Sequence, residues 1–222
     1  MGGTDAWLRE FGADALAFAV SALVVVAYYV ALHARTRRDP TSSIHVVNEL
    51  ARTLWVKHVM THPARDVMAV QTLRNFLMGA SLMATTAAFL ILGTLTLTGQ
   101  AEGIGRSWHL SFFGSSSAAL WVVKVMCLLA DFIFAFFAFA MAIRLANHVV
   151  FMLNVPAPWP HASLSPEEVA ARLNRAGRHF AAGMRAFFFA VPLVFWLFGP
   201  LFLVVAAIGL VYALNRLDRN PA

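Results

Sequence analysis

The sequence is poor in cysteine and in charge. Cys127 is the only cysteine among 222 residues, which excludes an intrachain disulfide and a metal site built from several cysteines. Charged residues make up 13% of the chain, about half the share found in soluble domains. Such a chain cannot cover the surface of an ordinary soluble domain, so that class is excluded.

Apolar residues take the place of the missing charge. They make up 60% of the sequence, and the mean hydropathy is +0.70. A run of about 20 apolar residues is long enough for a helix to cross the bilayer. Four runs qualify, at residues 15–32, 67–98, 118–143 and 186–213. The sequence therefore predicts one all-α domain over residues 1–222, a polytopic membrane helical bundle with about four transmembrane helices.

The basic residues predict how this bundle is oriented. The net charge is +6, and most of the lysines and arginines fall in the loops 33–66 and 144–185. The positive-inside rule places both loops in the cytoplasm and both termini outside. Residues 1–14 lack the basic start of a signal peptide, so the first span is expected to be retained.

Two amphipathic helices are predicted within the cytoplasmic loops. Ser165, Pro166 and Glu168 form the pattern of a capped helix start, and the segment 44–60 also has one apolar face. After Glu168 an apolar stripe faces away from a basic arc; the stripe is Val169, Leu173, Ala176, Phe180 and Met184, and the arc is Arg172, Arg175, Arg178, His179 and Arg185. Basic residues beside apolar runs suit anionic lipid headgroups better than nucleic acid. We therefore expect the bilayer and its anionic headgroups as partners, and no nucleic acid.

The last span contains Pro192 and Gly199-Pro200, residues that bend or break helices. The favoured interpretation is one continuous, kinked helix with the C-terminus outside. The alternative is a hairpin that turns at Gly199-Pro200 and returns the C-terminus to the cytoplasm.

Several short motifs follow one another from about residue 43 onward. In the second span they are 69–75 (AVQTLRN), 78–80 (MGA) and 83–86 (MATT). Others are Ile143-Arg144, Asn147, Asn154, Pro156, Pro192-Leu193, Trp196, Phe198-Gly199-Pro200 and Leu217-Asp218. With these motifs the sequence resembles the bacterial and plant membrane family known as domain of unknown function 599. The resemblance implies a compact four-span unit and supplies no activity or catalytic residues to carry over. We expect a multi-pass protein of the bacterial inner membrane.

Ionisable residues inside the spans are the first candidates for function, because hydrocarbon solvates charge poorly. Asp131 lies near the middle of the third span, and Lys124 lies seven residues earlier on the same face. The two are about 10 Å apart along the helix, too far to pair unless the lysine bends inward; it could instead snorkel outward. Asp131 could be a proton or cation site, or it could form a structural hydrogen bond to a neighbouring helix.

A polar stripe lies along one face of the second span. Its members are Gln71, Arg74, Asn75, Met78, Thr85 and Thr86. The stripe could line a water-filled path in which Arg74 attracts anions. Alternatively, the small residues Ala80, Ser81, Ala84 and Thr85 let neighbouring helices approach closely.

A third candidate lies at the inner ends of the spans. It consists of Arg144, Asn147, His148 and Asn154, with Arg178, His179 and Arg185 nearby if the third and fourth spans adjoin. Such a cluster could bind a phosphate headgroup or a small anion through charge-assisted hydrogen bonds. The alternative is ordinary charge flanking the spans.

The sequence contains no nucleophile elbow, no Walker-type loop, no dinucleotide fingerprint and no HExxH motif. His58 and His62 have a spacing that suits a metal, but Pro63 follows at once. We therefore expect no enzyme, no bound metal and no cofactor. The leading hypothesis is a channel or transporter for an ion or small polar solute, assembled as a homo-oligomer. The alternatives are a non-transporting scaffold or lipid-binding protein, and a membrane metal or haem redox protein.

Overall fold

The computed structural model describes residues 2–39, 43–62, 66–99 and 118–218, and the side chains of 11–39, 43–62, 67–97 and 119–218. The regular elements in these ranges are helices: α1 (Gly2–Arg38), α2 (Ile44–Thr61), α3 (Asp66–Gly99), α4 (Ala118–Met152), a short 3-10 helix (Ala162–Leu164), α5 (Pro166–Trp196) and α6 (Pro200–Leu217). Five of them, α1 and α3 to α6, are long and apolar enough to cross a membrane. The predicted all-α membrane bundle is confirmed, with five candidate spans instead of four.

The fifth candidate span arises because the last apolar run forms two helices. After Trp196, the N–H groups of the next three residues donate to carbonyls only three residues back. Gly199 then adopts a φ of 149°, which side chains with a Cβ disfavour. Pro200 starts α6, where its missing N–H costs nothing. The favoured continuous, kinked helix is therefore wrong, and the chain reverses at Gly199-Pro200.

The reversal sets α6 antiparallel to α5. Trp196 packs with Leu203 near the turn, whereas Phe189 packs with Leu210 farther along both helices. At the end of α6 the carbonyl of Asp218 accepts the N–H of Ile44, 3.5 Å away, so this end lies beside α2. The start of α1 lies toward the opposite end of the bundle. The prediction that both termini lie on the same side is therefore wrong.

Small residues bring α3, α4 and α5 close together. Their shared core consists of Ala84, Ala87, Ala135, Phe139 and Ala186. Gly183 of α5 lies so close to the Phe139 ring that a Cβ there would be 2.8 Å from its carbons. Of the four small residues expected to serve packing in the second span, Ala80 and Ala84 are buried, whereas Ser81 and Thr85 are exposed.

α2 and the first half of α5 pack together beside the inner ends of α3 and α4. The core that they share includes Val56, Val59, Leu73, Val149, Val169 and Leu173. Ser165 caps α5 by accepting the N–H of Glu168 at 3.4 Å, as its sequence predicts. However, this amphipathic segment is not a separate helix, because α5 continues without a break into the apolar segment that ends at Trp196.

Candidate functional site: a buried polar seam along α1

A buried ion pair joins α1 to α4 near the outer end of the bundle. The Lys124 Nζ lies 2.7 Å from the Asp14 Oδ1, and the two residues are 3% and 6% exposed. Trp196 donates its Nε1–H to the same carboxylate oxygen at 2.7 Å, and its ring centroid is 5.5 Å from the Nζ. A buried charge persists when it is paired and hydrogen-bonded. Lys124 therefore neither snorkels outward nor pairs with Asp131; its partner is Asp14, which the sequence interpretation missed.

Asp131 lies one heptad beyond Lys124, and Ser21 lies one heptad beyond Asp14. α1 and α4 run in the same direction, since Asp14 pairs with Lys124 and Ala17 shares a cluster with Cys127. Both polar residues are therefore about 10 Å deeper than the ion pair. The Oγ of Ser21 and the Oδ2 of Asp131 are enclosed and have no hydrogen-bond partner among the described residues. The depth of Ser21 and Asp131, midway along α1, therefore has polar atoms that are free to form further hydrogen bonds.

A hydrogen-bonded network closes the inner end of the bundle around Asp218. The Tyr28 hydroxyl donates to its Oδ2 at 2.6 Å, and the Arg185 guanidinium donates to the same oxygen at 3.0 Å. The His45 Nε2 lies 3.1 Å from its Oδ1. Burial alone would raise the pKa of Asp218, but the hydrogen bonds from His45 and Tyr28 and the charge of Arg185 outweigh burial and lower it.

The His45 Nε2 lies beside one hydrogen-bond donor and one hydrogen-bond acceptor. It lies 2.7 Å from an Arg185 nitrogen, which can only donate, and 3.1 Å from the Asp218 oxygen, which accepts. When Nε2 has no proton it accepts from Arg185; when it is protonated it donates to Asp218. Which of the two contacts His45 makes therefore depends on whether its Nε2 carries a proton, which differs between the two neutral tautomers.

We call these three levels the α1 seam, after the helix that contributes to each of them. Its α1 members Asp14, Ser21 and Tyr28 are spaced by heptads, so they lie along one face over about 21 Å. The other members are Lys124, Trp196, Asp131, Arg185, His45 and Asp218. In the sequence, the heptad spacing from Asp14 was the one sign that Ser21 and Tyr28 share its face of α1. That this face is buried follows only from the contacts of α1 with α4 and α6.

The predicted stripe on α3 lies away from this seam. Gln71, Arg74, Asn75 and Thr85 are exposed, and all but Gln71 line an open groove of about 960 Å³ between α3 and α4. Thr86 is half-buried, and its hydroxyl donates to the carbonyl of Leu82 at 2.9 Å. The α3 stripe and Asp131 therefore do not face one another.

The predicted inner cluster is divided between two places. Asn147 lines the groove beside α3, about 160° around α4 from Asp131, and Arg144 and His148 are exposed on the same helix. Arg185 instead contacts Asp218 and His45 at the end of the α1 seam. The expected meeting of Arg144 with Arg185 is not observed, because α2 and α6 are the neighbours of Arg185.

His58 and His62, the predicted metal-spaced pair, contact each other at the end of α2. The His58 and His62 ring centroids are 4.3 Å apart, and the His62 Nδ1 is 3.0 Å from the His58 carbonyl oxygen. Pro63 lies outside the described residues. Within the part of the chain that the structure describes, no group of three or more His, Cys, Asp or Glu side chains is placed to hold a metal ion.

Comparison with known proteins shows which family the chain belongs to and assigns no activity to it. A family model described as "Protein of unknown function, DUF599" matches residues 16–222, so the resemblance seen in the motifs is confirmed. No curated protein matches the chain, and no solved structure does.

Replacing Lys124 with methionine is expected to destabilise the protein by about 3–5 kcal/mol, because the buried Asp14 carboxylate loses its counter-charge. Adding Asp14→Asn to this variant should recover much of the loss. Unfolding in detergent micelles measures both. Lys57→Met is the matched control; Lys57 pairs with Glu167 at the surface, so its loss should change little. A double variant as unstable as Lys124→Met would contradict the pairing.

The Asp218 network predicts how stability depends on pH. Since the pKa of Asp218 is lowered by folding, its contacts stabilise the protein above the unfolded value of about 4. That stability is lost as the pH falls through the lower folded value. Between about pH 7 and pH 3 the melting temperature of the wild type should therefore fall more than that of Asp218→Asn. If the melting temperatures of the two proteins fell equally over this pH range, this role of Asp218 would be excluded.

Proposed function

This chain belongs to the membrane family of unknown function DUF599, and from its buried polar groups we propose that it conducts protons across the membrane. The observation that carries the proposal is the α1 seam, with polar groups at three depths of an otherwise apolar helix. Hydrocarbon does not solvate such groups, so their presence at these depths has a structural or functional reason. The transported species is thus the proton, one case of the ion or small polar solute expected from the sequence. Its conduction requires no enzymatic step and no cofactor.

Each level of the α1 seam contains a group that can exchange protons. The outer level has Asp14 and Lys124, the middle level has Asp131, and the inner level has His45 and Asp218. Asp131 is the central group, because it takes part in no described ion pair. It can therefore bind or release a proton without breaking one of the contacts that hold the helices together.

Water must complete the route between the levels. They are about 10 Å apart, whereas a hydrogen bond joins atoms about 3 Å apart. Ser21 and Asp131 offer the polar partners that a bridging water molecule needs. At the inner end, the exchange of His45 between Arg185 and Asp218 provides a step at which a proton can enter or leave.

The inner level faces the cytoplasm in this proposal. Basic residues concentrate on that side, in α2, the first half of α5 and the last turn of α1. We propose the bacterial inner membrane as the location.

Proton flux into proteoliposomes, followed with an enclosed pH-sensitive dye, tests the proposal. Asp131→Asn keeps the shape of the side chain and removes its titration, so it should slow the flux at least about tenfold. Glu167→Gln is the matched control; it removes a carboxyl group at the exposed start of α5, and its flux should equal that of the wild type.

Two results would contradict proton conduction. One is wild-type flux no faster than that of protein-free vesicles under both a pH gradient and a membrane potential. The other is an undiminished flux in Asp131→Asn. The first result, with stability unaffected by the substitution, would favour a non-transporting, lipid-binding scaffold, for which the amphipathic α2 and the basic first half of α5 are the supporting observation.

We also propose that the protein forms a homo-oligomer through α3. Only 11% of the apolar window of α3 is buried, the least among the five candidate spans, and Arg74, Asn75 and Thr85 are exposed on it. Polar groups facing lipid are costly, and a second copy would cover them. The mass of the purified protein in detergent, measured by light scattering, should exceed that of one chain. A monomer at all concentrations would contradict this assembly.

A further inference from the structure

A cavity lies between α2, α5 and α6. The proposed proton transfer along the α1 seam does not use most of this cavity, so the cavity suggests a separate role. Its volume is about 540 Å³. The polar side contains three guanidinium groups, those of Arg52, Arg178 and Arg185. Two carboxylates of the described part of the chain, Glu49 and Asp218, line the same cavity. The cavity therefore carries an excess of positive charge and suits an anion.

Among the residues that the structure describes, Arg52 is the arginine of this cavity that has no carboxylate within ion-pair distance. Arg178 pairs with Glu49 at 2.8 Å, and Arg185 pairs with Asp218 at 3.0 Å. Arg52 instead donates its Nε–H to the neutral Oδ1 of Asn174 at 2.8 Å. Burial and the charge of Arg178 lower the pKa of Arg52, and the charge of Glu49 opposes them.

The protein holds Arg52 in place. Asn174 is itself buried, and its amide nitrogen donates to the Thr53 hydroxyl at 2.9 Å, which fixes its carbonyl oxygen toward Arg52. The guanidinium lies against Gly177, where a Cβ would be 2.8 Å from its central carbon. With Nε engaged, the two terminal nitrogens remain as a planar fork, which matches the oxygens of a phosphate group.

The opposite side of the cavity is apolar. Its wall consists of Phe180, Met184, Phe188, Leu214 and Leu217. Leu217 is also the last residue of the α6 span, so the cavity lies where the apolar segment ends and the basic surface begins. A ligand that fits both sides has an anionic head and an apolar body.

We propose that this cavity binds the phosphate group of an anionic phospholipid, with Arg52 as the main contact and the apolar wall against the acyl chains. Arg178 and Arg185 add positive charge at the rim, and their own carboxylate partners limit how strongly they contribute. The chemistry shared with a free anion is the phosphate group, and the apolar wall is what favours the lipid.

Binding of dioleoylphosphatidylglycerol to the full chain in detergent, measured by titration and by the rise in melting temperature, tests the site. The lipid should stabilise the wild type, since a ligand that binds the folded state raises its stability. Arg52→Gln should weaken binding at least about tenfold. Each variant is compared with its own lipid-free melting temperature, which separates lost binding from lost stability. Should Arg52→Gln fail to fold, Arg178→Gln, an exposed member of the cavity, is expected to weaken binding in the same direction.

Arg175→Gln is the matched control, because Arg175 is an exposed arginine of α5 that does not line the cavity. It should change the affinity at most about twofold. An equal loss in Arg175→Gln and Arg52→Gln would overturn the site and indicate diffuse attraction to the basic surface. Inorganic phosphate that binds as tightly as the lipid would overturn the lipid assignment. Neither result bears on the flux measurement, so the two proposals fail independently.

Discussion

Hydrocarbon solvates charge poorly, and this constraint fixes the position of α1, because the polar groups at both ends of the α1 seam find partners inside the protein. At one end the Asp14 carboxylate meets Lys124 and the indole N–H of Trp196. At the other end Tyr28 donates to Asp218. Because removing one member of a buried pair leaves an uncompensated charge, both contacts favour a single register of α1 against α4 and α6.

The same constraint explains the hairpin of α5 and α6. A single kinked helix would carry Asp218 to the far side of the membrane, away from Arg185 and Tyr28. The reversal at Gly199 instead returns the carboxylate to the level of both partners and of His45 on α2. The inner network thus ties together four helices, and it forms one wall of the cavity in which Arg52 lies.

Hydrophobic periodicity predicted most of the fold, because the lengths of apolar runs and the capped start at Ser165 are local properties of the sequence. The turn was assigned wrongly, since Gly199-Pro200 is compatible with either a kink or a reversal. Asp14 was missed because it lies at the flank of the first apolar run, and its partner is more than a hundred residues away. The stripe on α3 was found, but its periodicity could not show whether it faces the interior or the outside.

Proton conduction along the α1 seam requires that water reaches its middle level. The most direct test is the reactivity of Ser21→Cys, in a Cys127→Ser background, toward a small water-soluble thiol reagent. Ala87→Cys in the same background is the control, because Ala87 is fully buried in the core between α3 and α4. We expect the Ser21→Cys variant to react and the Ala87→Cys variant not to react. A Ser21→Cys variant as unreactive as Ala87→Cys would contradict proton conduction along this route.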